Sequence, residues 1–167
     1  MTDDIARNMK ILLTTPVFLP DFFGGTETLV HGIAMDLTQR GHSVTIVTGY
    51  PDNESFEADD CFDEYTYDSI RVMRFKYHTK SVGRQINRMR NDYGNLVFEV
   101  GFRKLLEESR PDIVHFHHFG RLSIKAIDAC VERRIPTFLT VTDFWSICPQ
   151  QSLLLPNGKM CDGPRMG

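Results

Sequence analysis

The 167-residue sequence is sparing with cysteine and tryptophan, holding four of the first and one of the second. The thiols stand dispersed at Cys61, Cys130, Cys148 and Cys161, with no Cys-x-x-Cys pair among them, and read as free thiols in a reducing compartment. Long apolar runs are also missing. The longest, such as Ile11 to Thr14 and Thr137 to Thr142, are strand-sized, far short of the ~20 residues of a membrane span. Residues 1–8 are acidic and lack the apolar core of a secretory signal, so they read as a flexible lead and the compartment as the cytoplasm. Nor is there a large excess of either charge. With 22 acids against 19 bases and a pI near 6.0, the chain lacks the basic footprint of a nucleic-acid-binding domain. What is present is the composition of one soluble domain, 41% apolar and 25% charged. A chain of this size buries roughly two thirds of its unfolded surface and needs neither disulfide nor metal to hold together.

Periodicity organises residues 9–167 as an α/β domain, a Rossmann-like open parallel sheet with helices on both faces. Met9-Lys-Ile-Leu-Leu-Thr-Thr15 is a short apolar run ending at Pro16 and predicts a buried parallel strand. After an irregular stretch, Thr26 is placed to cap a helix whose apolar face is Leu29, Val30, Ile33, Ala34 and Leu37, stopped by Gly41. Ser43 to Thr48 is the next strand, completing a right-handed βαβ unit. Later in the chain, Asn95 to Glu108 predicts a helix with Leu96, Val97, Val100, Leu105 and Leu106 apolar. Ile113 to His117 predicts a strand, Arg121 to Arg134 a helix through Ile124, Ile127 and Val131, and Thr137 to Thr142 another strand. Cys130 fits the apolar stripe of that second helix.

The middle of the chain is polarised. No base occurs between Arg40 and Arg71, and from Arg71 to Arg90 seven bases occur without an acid. One reading is a mobile acidic loop beside a solvated basic face; the other is a basic segment meeting a substrate phosphate or carboxylate. Ile70 to Phe75 alternates and predicts a strand at the sheet edge.

In an open parallel sheet, ligands collect at the carboxyl ends of the strands. The first such loop delivers Gly24-Gly25 to a helix N-terminus, where free backbone N–H groups and the helix dipole suit an anion. It has neither the Gly-x-Gly-x-x-Gly spacing nor the Gly-Lys-Ser/Thr of a Walker loop, and a structural turn and a phosphate contact both fit it. Glu27 either complements the helix dipole or binds a substrate hydroxyl. The second loop follows His115-Phe-His-His118. Alternation puts His115 and His117 on one face and His118 on the other; His115 reads as a core histidine, and His117, at the strand end, is suited to act on a ligand. Histidines on opposite faces, without a matched Cys or carboxylate set, argue against metal. In the third loop Asp143 either caps the following turn or holds a sugar hydroxyl or a histidine.

Several pieces, in order, resemble glycosyltransferase family 4. They are the Met-Lys-Ile-Leu start, Gly-Gly-Thr-Glu before the first helix, and Leu-x-x-Arg-Gly-His-x-Val-x-Ile-Val-Thr into the second strand. Pro-Asp-Ile-Val-His-x-His and an Asp-Phe-Trp-x-x-Cys-Pro…Cys-Asp-Gly-Pro tail follow, so the likeness runs from Met9 to Pro164. The resemblance implies the N-terminal, acceptor-side half of a retaining GT-B enzyme that carries a sugar from a nucleotide-sugar donor to a glycan or lipid-linked acceptor. It implies that the donor-binding C-terminal domain lies outside these residues and that no metal or other cofactor is required. Gly24 and Gly25 would approach the donor diphosphate, and His117 would lie by the reacting sugar. Where many members carry His-Asp, this chain has Thr142-Asp143. Arg84, Arg88 and Arg90 would suit an acceptor phosphate or an anionic membrane surface. The hairpin signal at Pro156-Asn157-Gly158 would bring Cys148 and Cys161 near each other. The reading from a different class is a non-catalytic α/β module that binds a small anion or a partner protein.

Overall fold

The apolar run after Met9 forms β1, Lys10–Thr15, buried at every position after Lys10 because it has a strand on each side. The structure, a computed structural model, describes residues 8–52, 61–78, 92–148 and 151–163. The described elements continue with α1 (Gly25–Gln39), β2 (Ser43–Asp52), β3 (Phe62–Tyr67) and β4 (Ile70–His78). Then come α2 (Leu96–Ser109), β5 (Ile113–Phe116), α3 (Ala126–Glu132) and β6 (Thr137–Leu139). The six described strands lie in the order β3-β4-β2-β1-β5-β6, all parallel except the antiparallel β3–β4 pair. The chain runs outward from β1 to β2, then crosses back to place β5 on the other side of β1. The topological switch point, where such sheets bind ligands, therefore lies at the carboxyl ends of β1 and β5.

Side-chain alternation divides the interior. Ile11, Leu13, Val44, Ile46, Ile70 and Val72 face α1 and meet Val30 and Ala34. Leu12, Val47, Phe75, Val114 and Phe116 face the other way, against α2 and α3. The doubly wound reading holds. At the end of α1, Gly41 (φ 88°) and His42 donate to the carbonyls of Thr38 and Leu37, which is the paired C-terminal capping expected of a glycine there.

Several boundaries differ from the sequence reading for identifiable reasons. The N-cap of α1 is Gly24, and Thr26 lies inside the helix. The Ile70 strand is interior: the edge on that side is β3, drawn from the stretch read as an acidic loop. Register explains it, since Asp63 is opposite Arg74 and the two side chains form a two-pronged ion pair at 2.8 and 2.9 Å, while Arg71 bonds Glu64 at 2.6 Å. In α2 the buried residues are Phe98, Phe102, Leu105 and Leu106, and Leu96, Val97 and Val100 are exposed. The helix is apolar on two sides, and the side bearing the bulkier rings faces the sheet. Phe98 stacks on Phe102 and Phe62, and Phe62 lies so close to α2 that a methyl group on Gly101 would sit 2.1 Å from its ring. Helix α3 is only seven residues long and leaves Val131 exposed. Strand β6 ends at Leu139, with all three residues exposed. The tail pairs as a hairpin through Leu154 and Met160.

If the ring-bearing side of α2 holds the core, Phe98→Ala will cost about 3–5 kcal/mol of unfolding free energy by urea titration. Val97→Ala on the exposed side will cost less than about 1 kcal/mol. Equal losses would contradict the packing.

Candidate functional site

The loop from Pro16 to Gly24 arches from β1 to the start of α1 and is tied down along its length. Phe18 and Leu19 are buried, the Tyr65 hydroxyl donates to the Leu19 carbonyl, and Phe22 meets the Tyr50 ring edge-on at 6.2 Å. Arg74 reaches Asp21 at 3.4 Å while pairing with Asp63, its guanidinium 4.7 Å from the Tyr50 ring centre and 4.9 Å from that of Tyr65. Burial pushes the Tyr65 phenol up to about 12, so it remains a donor. Burial also works to raise the Asp63 carboxyl, but hydrogen bonds and charge from Arg74 and Lys76 outweigh it and hold the group below its ordinary value. The loop thus presents Gly24 and Gly25 from a fixed base. Glu27, only 8% exposed, turns back over Gly24: a methyl group there would lie 2.5 Å from its Oε2. That places the carboxylate at the positive helix end, as its dipole role requires. Beside Gly25 there is open space.

After β5 the three histidines diverge. The rings of His115 and His117 share a face, 4.2 Å apart. His115 meets the Thr140 hydroxyl at 2.8 Å and is part of the packed sheet. His117 is almost fully enclosed, at 1% exposure. Its Nδ1 donates to the Thr14 carbonyl at 3.2 Å, which leaves the lone pair on Nε2, and that nitrogen has no hydrogen-bond partner among the described residues. Burial, followed by the neighbouring His115, lowers the His117 imidazole to about 4, so the ring is neutral near pH 7. It offers an acceptor rather than a proton.

His118 turns the other way. The Gly120 N–H donates to its Nδ1 at 2.7 Å, which assigns the proton to Nε2, and Nε2 meets Asp143 Oδ2 at 3.1 Å. The second oxygen of Asp143 accepts the Trp145 N–H at 2.7 Å. Asp143 therefore caps its turn and holds a histidine at once, and that histidine is His118. Trp145 packs on His118 and Phe119 and stacks on Tyr93.

The geometry thus brings Gly24, Gly25 and Glu27 to the end of β1, His117 to the end of β5 and Asp143 beyond β6. Arg84 and Arg88 lie outside the described residues. Of the basic residues in the described strands, Arg71 and Arg74 are engaged by acids of β3. Sequence reasoning passed over the Arg74 clamp and Tyr93. The first was legible in the opposed charges of neighbouring segments; the second had no signal, because its stacking partner is distant in sequence. Among the described residues no group of three or more His, Cys, Asp or Glu side chains converges as a metal site, and no helix is long and apolar enough to cross a membrane.

A doubly wound sheet with a glycine-led helix and a strand-end histidine at its switch point defines a Rossmann-like ligand-binding domain. More particularly, the chain belongs to Glycosyltransferase Family 4, whose model matches residues 23–158. It is 22% identical over 162 residues to an uncharacterized 42.6 kDa protein in a cps region of Klebsiella pneumoniae. The match takes in 91% of this chain and 41% of that relative, so the chain spans well under half of its length. It is also similar to a solved structure described as trehalose-6-phosphate from E. coli bound with UDP-2-fluoro glucose. That likeness has 13% identity and a TM-score of 0.39, over 65% of this chain and 27% of the other.

The enclosed His117 has a measurable signature. Its folded-state value of about 4 lies below the unfolded 6.5, so between these values the unfolded chain binds the extra proton. Its contribution to stability is complete above about pH 6.5 and declines as pH falls toward 4, by up to about 3 kcal/mol. Urea titrations across that range are expected to show His117→Gln flattening the slope by up to about 1.4 kcal/mol per pH unit. An unchanged slope would contradict the burial of a neutral ring.

Proposed function

We propose that the chain is the acceptor-side half of a retaining GT-B transferase. It would carry a sugar from a nucleotide-sugar donor to a glycan or lipid-linked acceptor in polysaccharide biosynthesis. The observation that carries this reading is the unpartnered Nε2 of His117, held neutral by burial at the sheet's switch point. An unmet buried acceptor costs about 1–3 kcal/mol, and a sugar hydroxyl reaching it would recover that cost. In this reading His117 accepts a hydroxyl of the donor sugar and fixes its position; being neutral, it gives no proton to the leaving group. The developing charge on the leaving diphosphate is met by backbone N–H groups in the first turn of α1. The open space beside Gly25 permits the close approach, Glu27 lies over Gly24 and braces the turn, and Asp143 holds the neighbouring loop in shape. The greater length of the Klebsiella relative supports a donor-binding domain supplied by further chain, without which these 167 residues would be inactive. Arg84 and Arg88 remain the proposed contacts for an acceptor phosphate or for anionic lipid at the inner membrane face.

Calorimetric titration of UDP- and GDP-sugars tests the division of labour. A full-length protein with the second domain is expected to bind one of them, and the 167-residue chain to bind none tightly. Tight binding by the short chain would overturn the assignment to the acceptor side, and no binding by the longer one would favour the non-catalytic module. In the full-length enzyme, His117→Ala is expected to lower kcat about ten- to a hundredfold, equally at pH 6 and pH 8. Unchanged turnover would remove His117 from the mechanism.

A further inference from the structure

We propose that the outer face of Tyr93 is a stacking platform for a pyranose ring of the acceptor, a site that rests on the transferase reading above. Isolated exposed aromatic residues are ordinary on protein surfaces. Tyr93 differs in being held from three sides. Before it, Asp92 accepts the Arg121 N–H at 2.6 Å through its side chain and the Ile124 N–H at 2.9 Å through its carbonyl. After it, Asn95 donates its backbone N–H to Ser123 Oγ at 3.4 Å and caps α2 by accepting the Phe98 N–H at 3.2 Å. Beneath it lies Trp145, with ring centres 5.7 Å apart and planes inclined by 28°. Trp145 is itself fixed through the Asp143 bond to its N–H and the packing of His118. Tyr93 is nevertheless 52% exposed.

A rigid aromatic face binds at little conformational cost, because no rotamer freedom remains to be lost. Its electron-rich surface suits the C–H face of a pyranose, which is apolar while the ring edge is hydroxylated. A lysine lies beside the next residue: a methyl group on Gly94 would lie 3.8 Å from Lys125 Cε. Through Asp143 and His118 the platform is connected to the loop of His117, on the β5–β6 side of the switch point. A sugar resting on Tyr93 would thus be distinct from one at Gly24-Gly25, as an acceptor must be from a donor.

Saturation-transfer NMR on the full-length protein, with methyl glucopyranoside, galactopyranoside and mannopyranoside as probes, tests the platform. At least one pyranoside is expected to receive saturation on its C–H face. Tyr93→Phe should retain the signal, whereas Tyr93→Ala and Tyr93→Leu should lose about three- to tenfold in affinity. The leucine variant keeps apolar bulk over Trp145 without a flat face, so the comparison survives if alanine disturbs the fold. No transfer to any probe, or transfer that survives both Ala and Leu, overturns the platform. UDP- and GDP-sugar binding, followed in parallel, should be unchanged in all three variants. Its absence from the wild-type protein would instead overturn the transferase reading, and its loss only in the Tyr93 variants would overturn the assignment of Tyr93 to the acceptor.

Discussion

Strand β1 is hydrogen-bonded to parallel partners along both edges and covered on both faces, so every residue after Lys10 is buried. That constraint explains why residues 11–13 are apolar and why the polar Thr14 and Thr15 come only at the carboxyl end. It also sets where chemistry can occur. The loop leaving β1 must climb over β2 and β4 before α1 returns across the sheet, while β5 arrives on the other side. The switch point lies between those two departures. The Thr14 carbonyl accepts from both the backbone N–H and the Nδ1 of His117, joining the two strand ends that flank that point.

The ionic pairs of β3 and β4 extend this organisation to the glycine turn. Arg71 and Glu64 are exposed, and such a pair contributes about 0–1 kcal/mol. Arg74 is different. It is flanked by two aromatic rings, pairs twice with Asp63 and extends to Asp21 in the loop after β1, so its significance is positional. The edge hairpin of β3 and β4 is therefore mechanically continuous with the loop that presents Gly24. Asp63 and Glu64 of β3 and the bases Arg71, Arg74 and Lys76 of β4 are partners of each other, which weakens the case for Arg71 and Arg74 as substrate contacts.

How much of this could be read from the chain depended on the range of the interaction. Parallel strands buried on both faces show as unbroken apolar runs, so β1 and β2 were legible, as was the Gly41 stop. Glycosyltransferase family 4 was legible too, because its signature is a sequence of local pieces in order. The packing side of α2 was not, since Leu96, Val97 and Val100 are as apolar as the side that packs. Only the space around Phe62 and Phe75 decides between them. β3 was missed because its pairing depends on charges across the register rather than on alternation. Asp143 was read both as a cap and as a partner for histidine, and it does both, but which histidine it holds depends on tertiary placement.

The adjacent histidines show how one dipeptide divides its work. His117 and His118 leave the end of β5 in opposite directions, and each is fixed by its Nδ1: one donates to a carbonyl, the other accepts from an amide. The opposite tautomers follow. His118 has a proton on Nε2 and spends it on Asp143, stiffening the loop that supports Trp145 and Tyr93. His117 keeps its Nε2 lone pair unspent, and burial keeps the ring neutral. A neutral acceptor suits the orientation of a hydroxyl and is unsuited to protonating a leaving phosphate. In the proposed transfer from a nucleotide-sugar that is no defect, since a leaving diphosphate needs its negative charge met more than it needs a proton, and a helix N-terminus meets charge without titrating.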